Sequence, residues 1–295
     1  MPRSIFSPLT AKQREANFES YWEYMRTNSG ELDERERDLS KKRERLENFR
    51  KHRVLSEKPL SEEVFRRNCV KILDDPTRMP QKELLFANLY RFAYHEWAAV
   101  TSGWETTVPL AKARSLTDKI TRYHAAEEIC HGRLILEAFR TFRLDVEWAP
   151  VDADTRRVYA VFPRLPGVLL NQPAFISELL GAVFFRFFDS VLDDCLADEP
   201  QAKERVRDLL YEVMIDEVAH VGQRRNFIGA LGIKMTPRLV PSICGWLFGE
   251  MLGNMPAGRR GLDHQGLVAE ALSFDYSGLP PRVLERTWIP SQCLA

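Results

Sequence analysis

Two copies of one short pattern, Glu-x-x-His, constrain this chain more than any other feature. Glu217 and His220 lie in the stretch Leu210–Phe227, LYEVMIDEVAHVGQRRNF, and Glu128 and His131 lie in Glu127-Glu128-Ile129-Cys130-His131. On an α-helix, residues i and i+3 share a face, so each carboxylate and its imidazole can reach a common point. One such pair is ordinary on a solvated helix. Two pairs, each preceded by a helix carrying an inward-facing glutamate, form the ligand set of a dinuclear metal site in a helix bundle.

The glutamates that complete the set are Glu96 and Glu178. Gln81–Val100 reads as a helix with Leu85, Leu89, Phe92, Glu96 and Ala99 along one side, which puts Glu96 on the apolar stripe. Gln172–Leu196 reads as a helix apolar nearly all round, with Glu178 embedded in it. A carboxylate on such a face needs a partner. The motif helices run from Leu110 or Leu116 to Phe142 and from Ala202 to Leu231. The turn at Ala197-Asp198-Glu199-Pro200 lies midway between Glu178 and Glu217, so antiparallel neighbours bring these two to nearly one height. Glu96 and Glu128 are less symmetric about any turn. Four carboxylates and two imidazoles suit two iron ions, two manganese ions or one of each, whereas structural zinc prefers closed sites rich in Cys or His. Buried without a cation, four carboxylates would repel one another strongly.

Asp216 and Glu127 each immediately precede a motif glutamate, a quarter-turn around the helix from it. From there Asp216 could accept the ring N–H of His131, and Glu127 that of His220, as metal-bound histidines require. The alternative is simple surface exposure. His124 precedes Glu128 by one turn and has three readings: an extra ligand, a donor to a ligand, or a satisfied core histidine, with the last two preferred. Cys130 points off the ligand face and reads as packing. Arg224 reads as a structural ion-pair partner, with an anionic substrate as the alternative. Phe92, Phe184, Phe185, Phe187 and Phe188 could line an apolar pocket but read more simply as core.

The remainder frames this centre. Residues 1–80 form a charged helical extension packing on the core. In it Phe18, Tyr21, Trp22 and Met25 make a helical stripe that Asn28-Ser29-Gly30 breaks. Glu31–His52 then carries a narrow helical seam of Leu32, Leu39, Leu46 and Phe49, with Lys41-Lys42-Arg43 on a solvated face. Ser61–Leu73 is a short helix, and Asp145–Leu170, with four prolines, is a long irregular crossover holding one short helix. Residues 81–232 hold the four-helix core. Residues 233–295 supply one more helix, Thr236–Met255 started by Pro237, and an irregular tail. No segment has a convincing strand period, so the expected fold is all-α. The 42 basic and 42 acidic residues balance, which gives no sign of a nucleic-acid partner. No apolar run is long enough to span a bilayer, and five scattered cysteines suggest a reduced, cytoplasmic protein.

With Glu96, Glu127-Glu128-Ile129-Cys130-His131, Glu178 and Asp216-Glu217-Val218-Ala219-His220 in view, the chain resembles the ferritin-like di-iron carboxylate superfamily over roughly residues 81–232. The resemblance implies a ferritin-like four-helix bundle with added N- and C-terminal helices. It also implies an oxygenase or oxidase that uses two irons (or Fe/Mn, or Mn/Mn), O2 and an external electron donor, with a reductase as partner, to oxidise a small organic molecule. By length and by the long crossover, the arylamine N-oxygenases of the p-aminobenzoate type are the nearest group. Those enzymes carry an extra histidine one turn before the second motif's glutamate. Here that position is Val213, and His124 takes the corresponding place on the other motif helix. Iron oxidation and storage, and a non-enzymatic helical scaffold, are the alternatives. A homodimer is compatible with each.

Overall fold

A computed structural model describes residues 4–161, 164–252 and 263–294. In chain order the helices are α1 (Ala11–Ser29), α2 (Ser40–Lys51), α3 (Glu62–Asn68), α4 (Gln81–Gly103), α5 (Leu116–Thr141) and α6 (Ala153–Val161). They continue with α7 (Gly167–Cys195), α8 (Pro200–Asn226), α9 (Ala230–Leu252), α10 (His264–Leu272) and α11 (Pro281–Leu284). Among the described residues the only strand pairing is a two-residue antiparallel ladder, β1 (Leu32–Asp33) with β2 (Asp38–Leu39). The chain is therefore all-α. No described helix is long and apolar enough to cross a membrane.

Local chemistry fixes where the long helices begin. Ser115 and Asp118 form a reciprocal capping box at the start of α5, so its first N–H groups are satisfied. Pro200 opens α8 at a position where a missing N–H costs nothing. The four long helices then close a ring: α4 lies on α5, α5 on α8, α8 on α7 and α7 on α4. Each presents an apolar stripe inward, and Leu85, Leu89, Ile135, Phe139, Leu179, Val183, Leu210 and Met214 are almost wholly buried there. Outside the ring, α1 lies on α5 and α8, α2 on α5, α3 and α6 on α4, α9 and α10 on α7, and α11 on α8.

The structure departs from the sequence expectations where polar turn chemistry or tertiary burial wins. Glu31–His52 is not one helical segment. Gly30 ends α1 with φ +80, and the Ser40 hydroxyl accepts from the Glu31 N–H while the Ser40 N–H donates to the Glu31 carbonyl. Asp33 accepts from the N–H groups of Arg35 and Glu36, which makes the turn. Leu32 and Leu39, expected on one helical seam, face each other across the ladder. The short helix expected to reach Leu73 stops at Asn68, whose side-chain oxygen takes the Leu73 and Asp74 N–H groups.

The C-terminal helix begins at Ala230 rather than near Pro237, and Pro237 and Pro241 lie inside it. Ile233, Val240, Cys244 and Phe248 form one buried stripe across both prolines, so burial outweighs their cost. The Gly232 carbonyl accepts from the Gln172 amide and the Thr236 hydroxyl. Residues 253–255 of the expected helix lie outside the described residues.

Candidate metal centre

The two motif helices, α5 and α8, are neighbours, and their motifs meet inside the ring. Glu128 lies between them. Its Oε1 is 3.0 Å from His220 Nδ1, and its Oε2 is 3.3 Å from His131 Nδ1. Glu217 Oε1 is 2.9 Å from His131 Nδ1, and Glu178 Oε2 is 3.7 Å from His220 Nδ1. Two groups result: Glu128, His131 and Glu217 on one side, and His124, Glu128, Glu178 and His220 on the other, with ligand atoms in each group within 4.8 Å of one another. Glu128 belongs to both.

Glu96 stands beside these groups rather than within either. On α7, a methyl group built on Gly181 would lie 3.6 Å from Glu217 Oε2 and 4.0 Å from Glu96 Oε1, so both carboxylates face the same space. The Glu96 residue is partly exposed, yet its Oε2 is shut off from solvent and has no hydrogen-bond partner. Phe92, one turn before Glu96, stacks on Phe184 at 4.6 Å and meets Phe185 and Phe248 at 5.3 and 5.8 Å. Phe92, Phe184, Phe185, Phe187 and Phe188 are all buried in the main hydrophobic core.

The far nitrogen of each motif histidine is anchored across the helix pair. His131 Nε2 donates to Asp216 Oδ2 at 3.0 Å, and His220 Nε2 donates to Glu127 Oε2 at 2.9 Å. An ionised carboxylate only accepts, so Nε2 carries a proton and, in the neutral ring, the Nδ1 lone pair faces the centre. These anchors are held in turn by the N-terminal segment. Lys42 Nζ reaches both oxygens of Asp216, at 2.6 and 2.5 Å, and Asn28 donates to Asp216 at 3.0 Å. The Ser29 hydroxyl donates to Glu127.

Lys42 is thus buried, at 3 % exposure, and not on a solvated face. Sequence reasoning missed it, although it falls on the helical line of Leu39, Leu46 and Phe49. The segment Asn28-Ser29-Gly30 is more than a helix break, since two of its side chains hold the histidine anchors.

The remaining candidates have plainer surroundings. Arg224 Nε donates to Glu178 Oε1 at 3.3 Å, an ion pair at the edge of the centre. Cys130 is buried against β2, where its thiol donates to Asp38 at 3.4 Å. His124 is not a satisfied core histidine, because its Nδ1 is buried without a hydrogen-bond partner.

Electrostatics show what the centre is short of. Burial pushes the Glu217 carboxyl up to about 7, with the Glu128 charge adding to the rise, and Glu96 is raised well above the carboxylate range by burial and then by Glu217 and Glu128. Burial also raises Glu178, with Glu128 opposing its ionisation. Burial works against a charge on His131, yet Glu128 and the Asp216 bond hold it well above the imidazole range. His220 is raised likewise, through Glu127 and Glu128 against burial. Burial, then His220 and Arg224, keep His124 well below that range and hence neutral. The carboxylates gather positive charge wherever they can.

The donor set fits a pair of divalent cations. Glu96 Oε2, Glu128 Oε2, His131 Nδ1, Glu217 Oε1 and His220 Nδ1 are all buried with no hydrogen-bond partner among the described residues. Native proteins rarely leave even one such atom unpaired without a reason, because each costs about 1–3 kcal/mol. At these distances a proton or a cation has to stand between each Nδ1 and the carboxylate oxygens it faces, and a shared cation can take the place of the protons. No protein family, curated protein or solved structure matches the chain.

Proposed function

We propose that the protein is a dinuclear metal oxidoreductase of the ferritin-like type, which activates O2 to oxidise a small organic molecule. The observation that carries this reading is Glu128, whose two oxygens face the two histidine-containing groups. A carboxylate so placed would help to hold an ion on either side. Glu217 and His131 complete one position, with Glu96 beside it, and Glu178 and His220 complete the other. Oxygen-rich donors with a minority of imidazole favour iron or manganese over structural zinc. An iron pair, when bound, supplies the Lewis acidity and redox capacity for dioxygen chemistry, and an external reductant restores its electrons.

The chain's own residues have separate tasks in this scheme. Asp216 and Glu127 fix the orientation of His131 and His220 and keep the ring proton on Nε2. Lys42 balances the charge of Asp216 so that this carboxylate stays ionised inside the core. Glu217 and Glu96 hold protons in the metal-free centre and would give them up in holding a metal ion. The phenylalanines around Phe92 and Phe184 exclude water on the Glu96 side.

Oxygen consumption tests the reading. Protein loaded anaerobically with Fe(II) is mixed with O2, with and without reductant and a panel of arylamines, alkyl acids and phenols. Continued uptake that forms an oxidised organic product, absent in Glu128→Ala, supports an oxygenase or oxidase. A single burst that ends in ferric iron whatever organic molecule is present would replace it with iron oxidation as the function.

A further inference from the structure

We propose that His124 is a third histidine ligand, so that the two metal positions differ in kind: one is rich in nitrogen and the other rich in oxygen. This rests on the dinuclear reading above. His124 Nε2 lies 3.3 Å from Glu178 Oε1 and 3.4 Å from Glu128 Oε1, and neither contact has hydrogen-bond geometry. Its ligand atom falls in one group with those of Glu128, Glu178 and His220, all within 4.8 Å. The opposite nitrogen, Nδ1, is buried and unpartnered.

A histidine that merely packs in the core would have its ring nitrogens bonded. A histidine that orients a ligand carboxylate would donate to it with hydrogen-bond geometry, of the kind the Nε2–H groups of His131 and His220 have with Asp216 and Glu127. His124 does neither. It stands with one ring nitrogen between two carboxylates and with its ring centroid 3.9 Å from that of His220. That is where an ion held by Glu178 and His220 would find a second imidazole.

The consequence is a division of labour. The position of Glu178 and His220 gains a second nitrogen, whereas that of Glu217 keeps His131 as its single imidazole. Imidazole donors suit iron, and carboxylate-rich sets suit manganese. Under mixed loading, iron would take the His124 side and manganese the Glu217 side.

The test uses the whole protein loaded anaerobically with Co(II). Each ligating imidazole then gives a paramagnetically shifted ring N–H proton signal that disappears on exchange into D2O. Three such signals are expected in the parent. In His124→Ala one is expected to vanish while the second Co(II) equivalent binds at least tenfold more weakly, and free imidazole is expected to restore that equivalent to His124→Gly. Two signals in a parent that binds two Co(II) would overturn the inference and leave the dinuclear centre standing. A parent that binds no Co(II) would overturn both. The parent count needs no variant to fold.

Discussion

Lys42 Nζ lies 2.5 Å from Asp216 Oδ2, the same oxygen that accepts the Nε2 proton of His131 at 3.0 Å. Both residues of the ion pair are almost fully buried. The pair joins the N-terminal extension, through α2, to the middle of α8. The extension is therefore part of the candidate centre and not a separate arm.

Removing one partner of a buried ion pair leaves an uncompensated charge, which typically costs about 3–5 kcal/mol. Lys42→Met is expected to fall at the low end, because Asn28 and His131 still bond Asp216. Loss of support behind a metal-bound histidine commonly weakens metal binding about 10–100-fold. Chemical denaturation and metal titration of Lys42→Met check both effects. Parent-like affinity in a destabilised variant would show that the pair serves folding alone.

Metal and protons compete for this centre. Glu217, pushed up to about 7 by burial and by Glu128, and Glu96, also raised, hold protons in the acidic range when no cation is bound. His131 and His220, raised by their carboxylate neighbours against burial, do the same. Because ligands bind metal in their deprotonated forms, affinity is expected to rise with pH through about 7, where Glu217 gives up its proton. Uptake is expected to release at least about one proton per chain near neutral pH, measurable with an indicator dye in weak buffer. An affinity independent of pH would contradict these assignments.

Gly222, two residues after His220, has no room for a side chain. A methyl group there would lie 2.7 Å from the Trp288 ring and 2.9 Å from Pro290. The C-terminal segment uses that gap to lie on α8, with Trp288 Nε1 donating to Ser20 and its ring 5.1 Å from Tyr21. Overpacking of this kind costs about 1–3 kcal/mol. Gly222→Ala is expected to lose that much in denaturation and to expose the last residues to proteolysis. Unchanged stability and protease resistance would mean that the segment does not depend on this contact.

What the sequence made legible was local. A spacing of three on a helix places Glu128 with His131, and Glu217 with His220, whatever surrounds them. A step of one residue turns Asp216 and Glu127 toward the opposite helix, which is why their bonds to His131 and His220 follow from the same pattern.

The rest depends on long-range contacts. Lys42 reaches Asp216 from a segment whose charge density resembles a solvated face, and only its register with Leu39 and Leu46 sets it apart. The break at Asn28-Ser29-Gly30 is visible in sequence, but its bonds to Asp216 and Glu127 are not. Glu96 lies on the expected stripe, yet no spacing rule says that its oxygens stand beside the two groups. Pro237 looks like a helix start because propensity favours it there. The buried stripe from Ile233 to Phe248 overrides that preference.

Metal content per chain tests the central claim most directly. The parent and the Glu128→Ala/Glu217→Ala double variant would be loaded anaerobically with Fe(II), desalted and analysed for iron and manganese, with circular dichroism to verify folding. The account predicts close to two metal ions in the parent and a loss of most of both in the variant, because Glu128 belongs to both groups. A well-folded parent that retains no stoichiometric metal, or a variant that still holds two ions, would contradict it.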